Sequence, residues 1–404
     1  MKLPRASLPI ALASAVSLGA QVAFSLVMLR LFAPQAVGEF SVISQIAFFW
    51  MTLALAQSPL KLLADMHLPA VQALRAALGE SLKRWTLLLP LAWLGVVLSG
   101  LLQATQVLAW AALLALLQLG WYLAQPLTLR RASTRSTAWG RALPPVVAAA
   151  VAGAVGMKWP QAGSTSLLLA AAAGYAVGAL WLLQARNSDG VPVNKDAGLT
   201  PAPTQADNRS AFLRLMHTSA DALTGVALVL VWQRSHGAAQ AGYLTALLRV
   251  LGFVPATIHA AWAQVLLAQG ARRHTSPLWV GLLGAAATAA LGLICMAAVQ
   301  LQWLTASWSG LLPYVIPVAL WQASACMLAA CSHLPFQQGR ASAFSYAAIG
   351  FDALQLLVLL APWLVGYSPD AATHAAWLGG VSTLALLGLS SWLLGKRQFG
   401  SDSN

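Results

Sequence analysis

Apolar runs of about twenty residues, separated by short polar segments, recur along this chain from end to end and leave few folds open to it. The hydrocarbon core of a bilayer is ~30 Å thick, and an α-helix crosses it in ~20 residues. Twelve such runs are legible, at approximately 7–31, 38–60, 86–103, 107–128, 142–157, 165–184, 211–232, 241–268, 277–300, 304–330, 342–364 and 373–394. A closed barrel is the other spanning solution. Its strands alternate apolar and polar residues over about ten positions, whereas these runs are continuous and rich in Leu and Ala, as helices are. Only 8% of the residues are charged and the mean hydropathy is +0.71. A soluble domain carries about 25% charged residues, so lipid, not charge, covers this surface. The expected fold class is all-α integral membrane, with about twelve transmembrane helices. Lys2 and Arg5 precede a run of small apolar residues, as in a signal peptide. That run continues to Arg30, longer than a signal peptide's ~7–15 residue core, so a retained first helix is expected.

Loop charge gives the orientation. With the N-terminus inside, nineteen of the 23 Lys and Arg fall on inside segments. The outside segments hold Arg30, Lys158 and Arg234, and Arg249 falls within a run. A wrong helix count would scramble this alternation. Both termini of this multi-pass protein are therefore expected in the cytoplasm. The net charge of +13 is then a fringe facing anionic membrane lipid, not a nucleic-acid surface. Trp85, Trp139, Trp159, Trp232, Trp303, Trp308 and Trp363 lie near run ends, where an aromatic belt is expected. Cys295, Cys326 and Cys331 lie within apolar runs and indicate neither a disulfide nor a metal site.

The longest strongly polar stretch, Gln184 to Ser210, is rich in Pro, Asp, Asn and Gly. It divides the chain into an N-terminal six-helix half (1–184), a cytoplasmic linker (185–210), a C-terminal six-helix half (211–396) and a cytoplasmic tail (397–404). A shift of 204 positions places Arg30 on Arg234, Gly38 on Gly242, Phe49 on Phe253, Ala56 on Ala260 and Leu62-Leu63-Ala64 on Leu266-Leu267-Ala268. Six spans return the chain to its starting side. The halves are thus expected to form a parallel repeat about a pseudo-two-fold axis along the membrane normal, with a central cavity between them.

Three segments carry a family resemblance. LRLFAPQAVGEFSVISQIAFFW (Leu29 to Trp50) looks like the first hairpin of bacterial polysaccharide or O-antigen flippases, within the multidrug/oligosaccharidyl-lipid/polysaccharide exporter superfamily. AAQAGYLTALLRVLGFVPATIHAAWAQVLLA (Ala238 to Ala268) resembles that family's seventh-to-eighth helix segment, in which a Gly-Tyr step leads into an amphipathic helix ending near a Gln-Val pair. LLPYVIPVALWQASACMLAA (Leu311 to Ala330) resembles its tenth helix. The resemblance implies a flippase moving a polyprenyl-diphosphate-linked oligosaccharide from the cytoplasmic to the periplasmic leaflet by alternating access, for O-antigen-like surface polysaccharide. A polysaccharide polymerase and chain-length proteins are its implied partners.

An ionisable residue at mid-bilayer costs ~2.5–3.5 kcal/mol on insertion scales and faces a cavity or a partner. Arg249 lies seven residues beyond Gly242, ~10 Å along a helix. Its guanidinium suits bidentate contact with a diphosphate; a structural pair with an acid is the other reading. Gln45, its counterpart under the 204-residue shift, is a second cavity candidate. Arg214, His217 and Asp221 share one helix face at i, i+3 and i+7. Arg214 is placed to meet substrate phosphate, Asp221 to bind a coupling H⁺ or Na⁺, and His217 to tune it. A neutralised ion pair is the competing reading. Asp352 lies midway along the eleventh run, a cavity candidate or a partner of Arg249 or Arg340. Arg30 and Arg234 are expected to snorkel, and Lys61 and Asp65 to form a local i, i+4 salt bridge. His259, His333 and His374 show no metal spacing.

No cofactor beyond a coupling ion is expected, and no enzyme motif is present: HExxH, Walker A and nucleophile elbow are all missing from the sequence. Two alternatives stand beside the flippase. A drug or organic-cation exporter of the same superfamily would line its cavity with carboxylates. A membrane-embedded glycan polymerase or ligase would carry a large periplasmic loop, whereas every outside segment here is short.

Overall fold

The computed structural model describes residues 7–64, 68–130, 134–159, 163–184, 208–259 and 276–395. Among these, all regular structure is helical. The elements are α1 (Ser7–Leu31), α2 (Pro34–Leu55), α3 (Ser58–Ala64), α4 (Ala70–Leu87), α5 (Leu89–Ser99), α6 (Ala104–Arg130), α7 (Thr134–Lys158) and α8 (Ser164–Gln184). There follow α9 (Asn208–His236), α10 (Ala238–Ile258), α11 (Pro277–Gln300), a 3₁₀ turn (Ala306–Leu311), α12 (Leu312–Cys331), α13 (Leu334–Gln337), α14 (Ala341–Val365) and α15 (Ala371–Gly395). Ten candidate spans among the described residues are long and apolar enough to cross a bilayer. The pair α4 and α5, bent by 48°, makes an eleventh if it is one span, and α1 is apolar over Gly19–Leu31. Each of the twelve apolar runs falls on a helix or a helix pair; the end of the eighth, beyond residue 259, lies outside the described residues. So do linker residues 185–207 and the tail. Residues 208–210, expected in the linker, begin α9.

The chain splits into two compact units. The first comprises Met1–Phe32 and Glu39–Leu215, the second Ala33–Gly38 and Met216–Asn404.

In the first unit, prolines decide the local geometry. The second apolar run was expected to be one helix over 38–60. Instead α2 stops at Leu55, Ala56 takes a left-handed φ of 44°, and α3 begins at Ser58. Pro59 has no N–H to offer the Leu55 carbonyl four residues back. Arg84 of α4 takes that role: its Nη1 donates to Leu55 O at 3.2 Å, Ala54 O at 3.3 Å and Ser58 Oγ at 3.3 Å. Arg84 also pairs with Glu80, which Lys61 approaches at 3.8 Å. The expected Lys61 partner, Asp65, lies outside the described residues. Trp50 stacks on Trp85 with ring centroids 4.4 Å apart, and its Nε1 donates to Trp85 O at 2.8 Å.

The same logic recurs in α7, which contains Pro144 and Pro145. These remove the donors for the carbonyls of Gly140 and Arg141. Trp121 Nε1 of α6 donates to Gly140 O at 2.8 Å, and Ser17 Oγ of α1 donates to Arg141 O at 3.1 Å. Two glycines of α8, in a Gly-x-x-x-Gly spacing, let this interrupted stretch sit close. A Cβ at Gly174 would meet the Pro144 backbone, and one at Gly178 would meet the Pro144 ring and Trp121.

In the second unit, the first turn of α2 meets the first turn of α10. A Cβ at Gly38 would strike the Ala238 carbonyl, and one at Gly242 would strike the Pro34 carbonyl. Positions 34 and 38 fall on 238 and 242 under the 204-residue shift, so the contact is reciprocal. Elsewhere in this unit, Gly379 of α15 lies against the Pro317 backbone of α12. Tyr243, Tyr314, Trp308 and Trp232 are buried together. Their ring centroids lie 5.7 Å apart for Tyr243–Trp308 and 6.1 Å apart for Tyr243–Tyr314 and Trp232–Tyr314. Trp232 and Trp308 were expected in an interfacial belt and are core residues instead. Trp139, Trp159, Trp303 and Trp363 are exposed, as a belt needs.

Trp121→Phe is expected to leave the carbonyl of buried Gly140 unpaired, costing ~1–3 kcal/mol. Gly174→Leu is expected to force α7 and α8 apart, at a similar ~1–3 kcal/mol or more. Thermal unfolding of the purified variants in detergent reads both as a lowered midpoint.

Candidate functional site

His217 and Asp221 of the α9 stripe fall in the same unit as the carboxyl on α14, and the structure brings them together. His217 meets the Phe344 ring of α14 edge-on, centroids 6.2 Å apart. Asp221, one turn further along α9, is exposed and within electrostatic reach of both His217 and Asp352. Asp352 is 6% exposed, and its Oδ2 is buried with no hydrogen-bond partner. Gln355, almost one turn beyond Asp352, is also buried and donates from Nε2 to Ser382 Oγ of α15 at 2.8 Å. Thr224 of α9 carries a second buried oxygen, Oγ1, without a partner.

The chemistry follows from burial. A buried carboxylate oxygen without a donor is costly, and more so with a second carboxylate nearby. Only Asp352 carries such an oxygen, Asp221 being exposed, and a proton or a monovalent cation at that oxygen would relieve its cost. Arg340, one expected partner of Asp352, instead lies over the Trp392 ring at 4.4 Å. Among the described residues no group of three or more His, Cys, Asp or Glu is placed to hold a metal ion.

The remaining expected residues are not all gathered there. Arg249 is half-buried on α10 and Gln45 half-buried on α2. Arg214 lies on α9, but its side chain is outside the described residues. Arg30 and Arg234 are exposed.

Sequence reading missed three features. Gln355 was legible as the i+3 neighbour of Asp352, but Ser382 comes from the next helix and left no local signal. His236 Nε2 lies 3.0 Å from His374 Nδ1, with both rings against Trp232 at 4.9 and 4.7 Å. The 138-residue separation hides that pair from any spacing rule. Beside it, Asp370 accepts the Thr373 N–H at 2.9 Å and the Thr373 hydroxyl at 2.7 Å. These bonds hold its carboxyl below the usual carboxylate range. Third, Arg141 is an exposed arginine within α7, where a loop charge was expected.

Asp221→Asn and Asp352→Asn are expected to combine non-additively in unfolding free energy, departing from the sum by about 0.5–3 kcal/mol. Additivity within ~0.3 kcal/mol in a chemical-unfolding cycle would separate the two carboxyls.

No protein-family model matches the sequence, and no curated protein sequence matches it either. Solved structures do. One is described as the inward-facing conformation of a multidrug resistance MATE family transporter of the MOP superfamily. It is 11% identical, with a TM-score of 0.51, over 100% of this chain and 97% of that one. A second, a MATE in complex with MaL6, is also 11% identical, with a TM-score of 0.47, over 98% of this chain and 95% of that one. At this identity the likeness is one of fold.

Proposed function

We propose that this membrane protein is a transporter of the multidrug/oligosaccharidyl-lipid/polysaccharide exporter superfamily, and that its cargo is a polyprenyl-diphosphate-linked oligosaccharide. In this reading the cargo passes from the cytoplasmic to the periplasmic leaflet of a bacterial inner membrane by alternating access, with both termini cytoplasmic. The likeness of fold to a MATE transporter over the whole chain supports the general class. The observation that carries the cargo is Arg249, half-buried within an apolar span whose sequence resembles the flippase segment. A diphosphate entering a low-dielectric site needs a fixed cation there, and a guanidinium supplies both charge and a bidentate fork.

Asp221 and Asp352 are the coupling site in this reading. Asp352, a cavity candidate from the sequence, fits a coupling cation better, because its open Oδ2 and its acidic neighbour repel a diphosphate. H⁺ or Na⁺ binding there would depend on the conformation of α9 against α14 and so couple to transport.

The same carboxylates favour a second reading, a drug or organic-cation exporter. An organic cation would use Asp221 and Asp352 directly and would have no need of Arg249.

Arg249→Ala, in a strain whose surface polysaccharide depends on this protein, is expected to lower surface polymer at least about tenfold with normal protein levels. Undiminished polymer would sink the role of Arg249 in flipping. Asp352→Asn is expected to abolish dependence on the coupling ion in vesicle transport assays. A strain lacking the protein that gains sensitivity to cationic drugs and keeps its polymer would select the exporter.

A further inference from the structure

Arg141 stands in an unusual position for a charged side chain. It lies seven residues beyond the start of α7, ~10 Å along the helix, and within the candidate span Ser136–Lys158. Three helices fix its surroundings: α1 and α8 pack along α7, and α6 supplies Trp121 and Gln125. None of α1, α6, α7 or α8 contains an Asp or Glu. The helices around this guanidinium therefore offer it no countercharge. Its partner is neutral: Nε donates to Gln125 Oε1 at 3.2 Å.

The backbone beneath it is set by the paired prolines. Residue 141 is one of the two whose carbonyls lose their helical donors, and Ser17 of α1 binds that carbonyl directly. Gln21, one turn along α1 and exposed, lies 3.5 Å from Ser17 Oγ. The side chain thus projects from a stretch of helix tied to α1 and α6 by side-chain hydrogen bonds and packed by glycine on α8. With Nε engaged by Gln125, the fork that remains for a ligand is the Nη1/Nη2 edge. That edge matches two oxygens of a phosphate. An exposed cation near the start of a span, oriented by a neutral acceptor and with no acid on the helices around it, is placed to take its countercharge from an anion within reach.

We propose that Arg141 is a phosphate-binding residue of the first unit, its guanidinium oriented by Gln125 and its backbone by the Pro144–Pro145 interruption, and that it takes the diphosphate of the lipid-linked cargo. This rests on the flippase reading for the identity of the cargo. A phospholipid head group has the same phosphate chemistry, and the experiment separates the two sources.

The full-length protein, purified in detergent, is titrated with undecaprenyl diphosphate and, in parallel, with phosphatidylglycerol. Arg141→Gln is expected to weaken undecaprenyl diphosphate binding at least about tenfold and to change phosphatidylglycerol binding less than about twofold. Arg141→Lys keeps the charge and loses the fork, so its loss is expected to be smaller. Gln125→Leu keeps Arg141 and frees its Nε; a loss of about three- to tenfold is expected. If Arg141→Gln lowers the yield of folded protein, Arg141→Lys and Gln125→Leu decide the matter. Wild-type binding that survives Arg141→Gln within twofold overturns the role of Arg141 and leaves the flippase reading standing. Equal losses for both lipids reassign the residue to a head-group contact and overturn the proposal. A wild-type protein that binds no undecaprenyl diphosphate overturns the flippase reading itself.

Discussion

Within a bilayer, a helix carbonyl that loses its i+4 donor has no water to turn to, so a side chain must supply the missing hydrogen. Much of the first unit is arranged around this demand. Pro59, Pro144 and Pro145 orphan the carbonyls of Leu55, Gly140 and Arg141, and Arg84, Trp121 and Ser17 reach across from three other helices to satisfy them. Each of these bonds ties one helix to a fixed height on another. Apolar packing between lipid-embedded helices gives little such register, because one row of Leu and Ala slides over another at small cost. The prolines, which weaken their own helices, thus make the bundle specific. Gly174 and Gly178 then let the interrupted helix come close enough for contact.

The second unit shows the converse. Its notable polar atoms are left open: Asp352 Oδ2 and Thr224 Oγ1 are buried without partners, while Gln355 and Ser382 satisfy each other close by. An unmatched carboxylate oxygen near a second acid carries a standing cost that a ligand relieves. An open carboxylate differs from an open hydroxyl or amide in carrying charge, and that makes Asp352 the atom to explain in a chain with few charges.

Most of the span map was legible in the sequence, because hydrophobic length is a local property and lipid enforces it. Helix α11 begins and ends where its apolar run does, at 277 and 300. The break after Leu55 was less visible: Ser58-Pro59 signals an interruption, but the partner that stabilises it, Arg84, lies 29 residues away from Leu55. Trp232 and Trp308 misled because position near a run end is common to belt and core residues, and only neighbouring helices decide which side a ring faces. The candidate site was legible as single residues. Asp221 and Asp352 announced themselves as acids in apolar spans. That they sense each other depends on how α9 and α14 pack, which no spacing encodes. Arg141 was counted with the loop charges because the apolar run thins before it. The helix begins earlier than the run, since Thr134 to Gly140 are, Trp139 apart, polar or small but still form helix on the turn leading into the span.

The packing of the first turn of α2 bears on how such a chain is made. Residues 33–38 cluster with the second unit although they lie near the start of the sequence, and Gly38 needs Ala238 and Gly242 as neighbours. About two hundred residues must therefore be synthesised before this short segment meets its packing partner. Until then its glycine face is without the partner it packs on in the folded chain. A fragment ending at Leu215 would carry this turn permanently uncovered. The chain is thus threaded like a clasp, its early tongue held only when the late helix arrives.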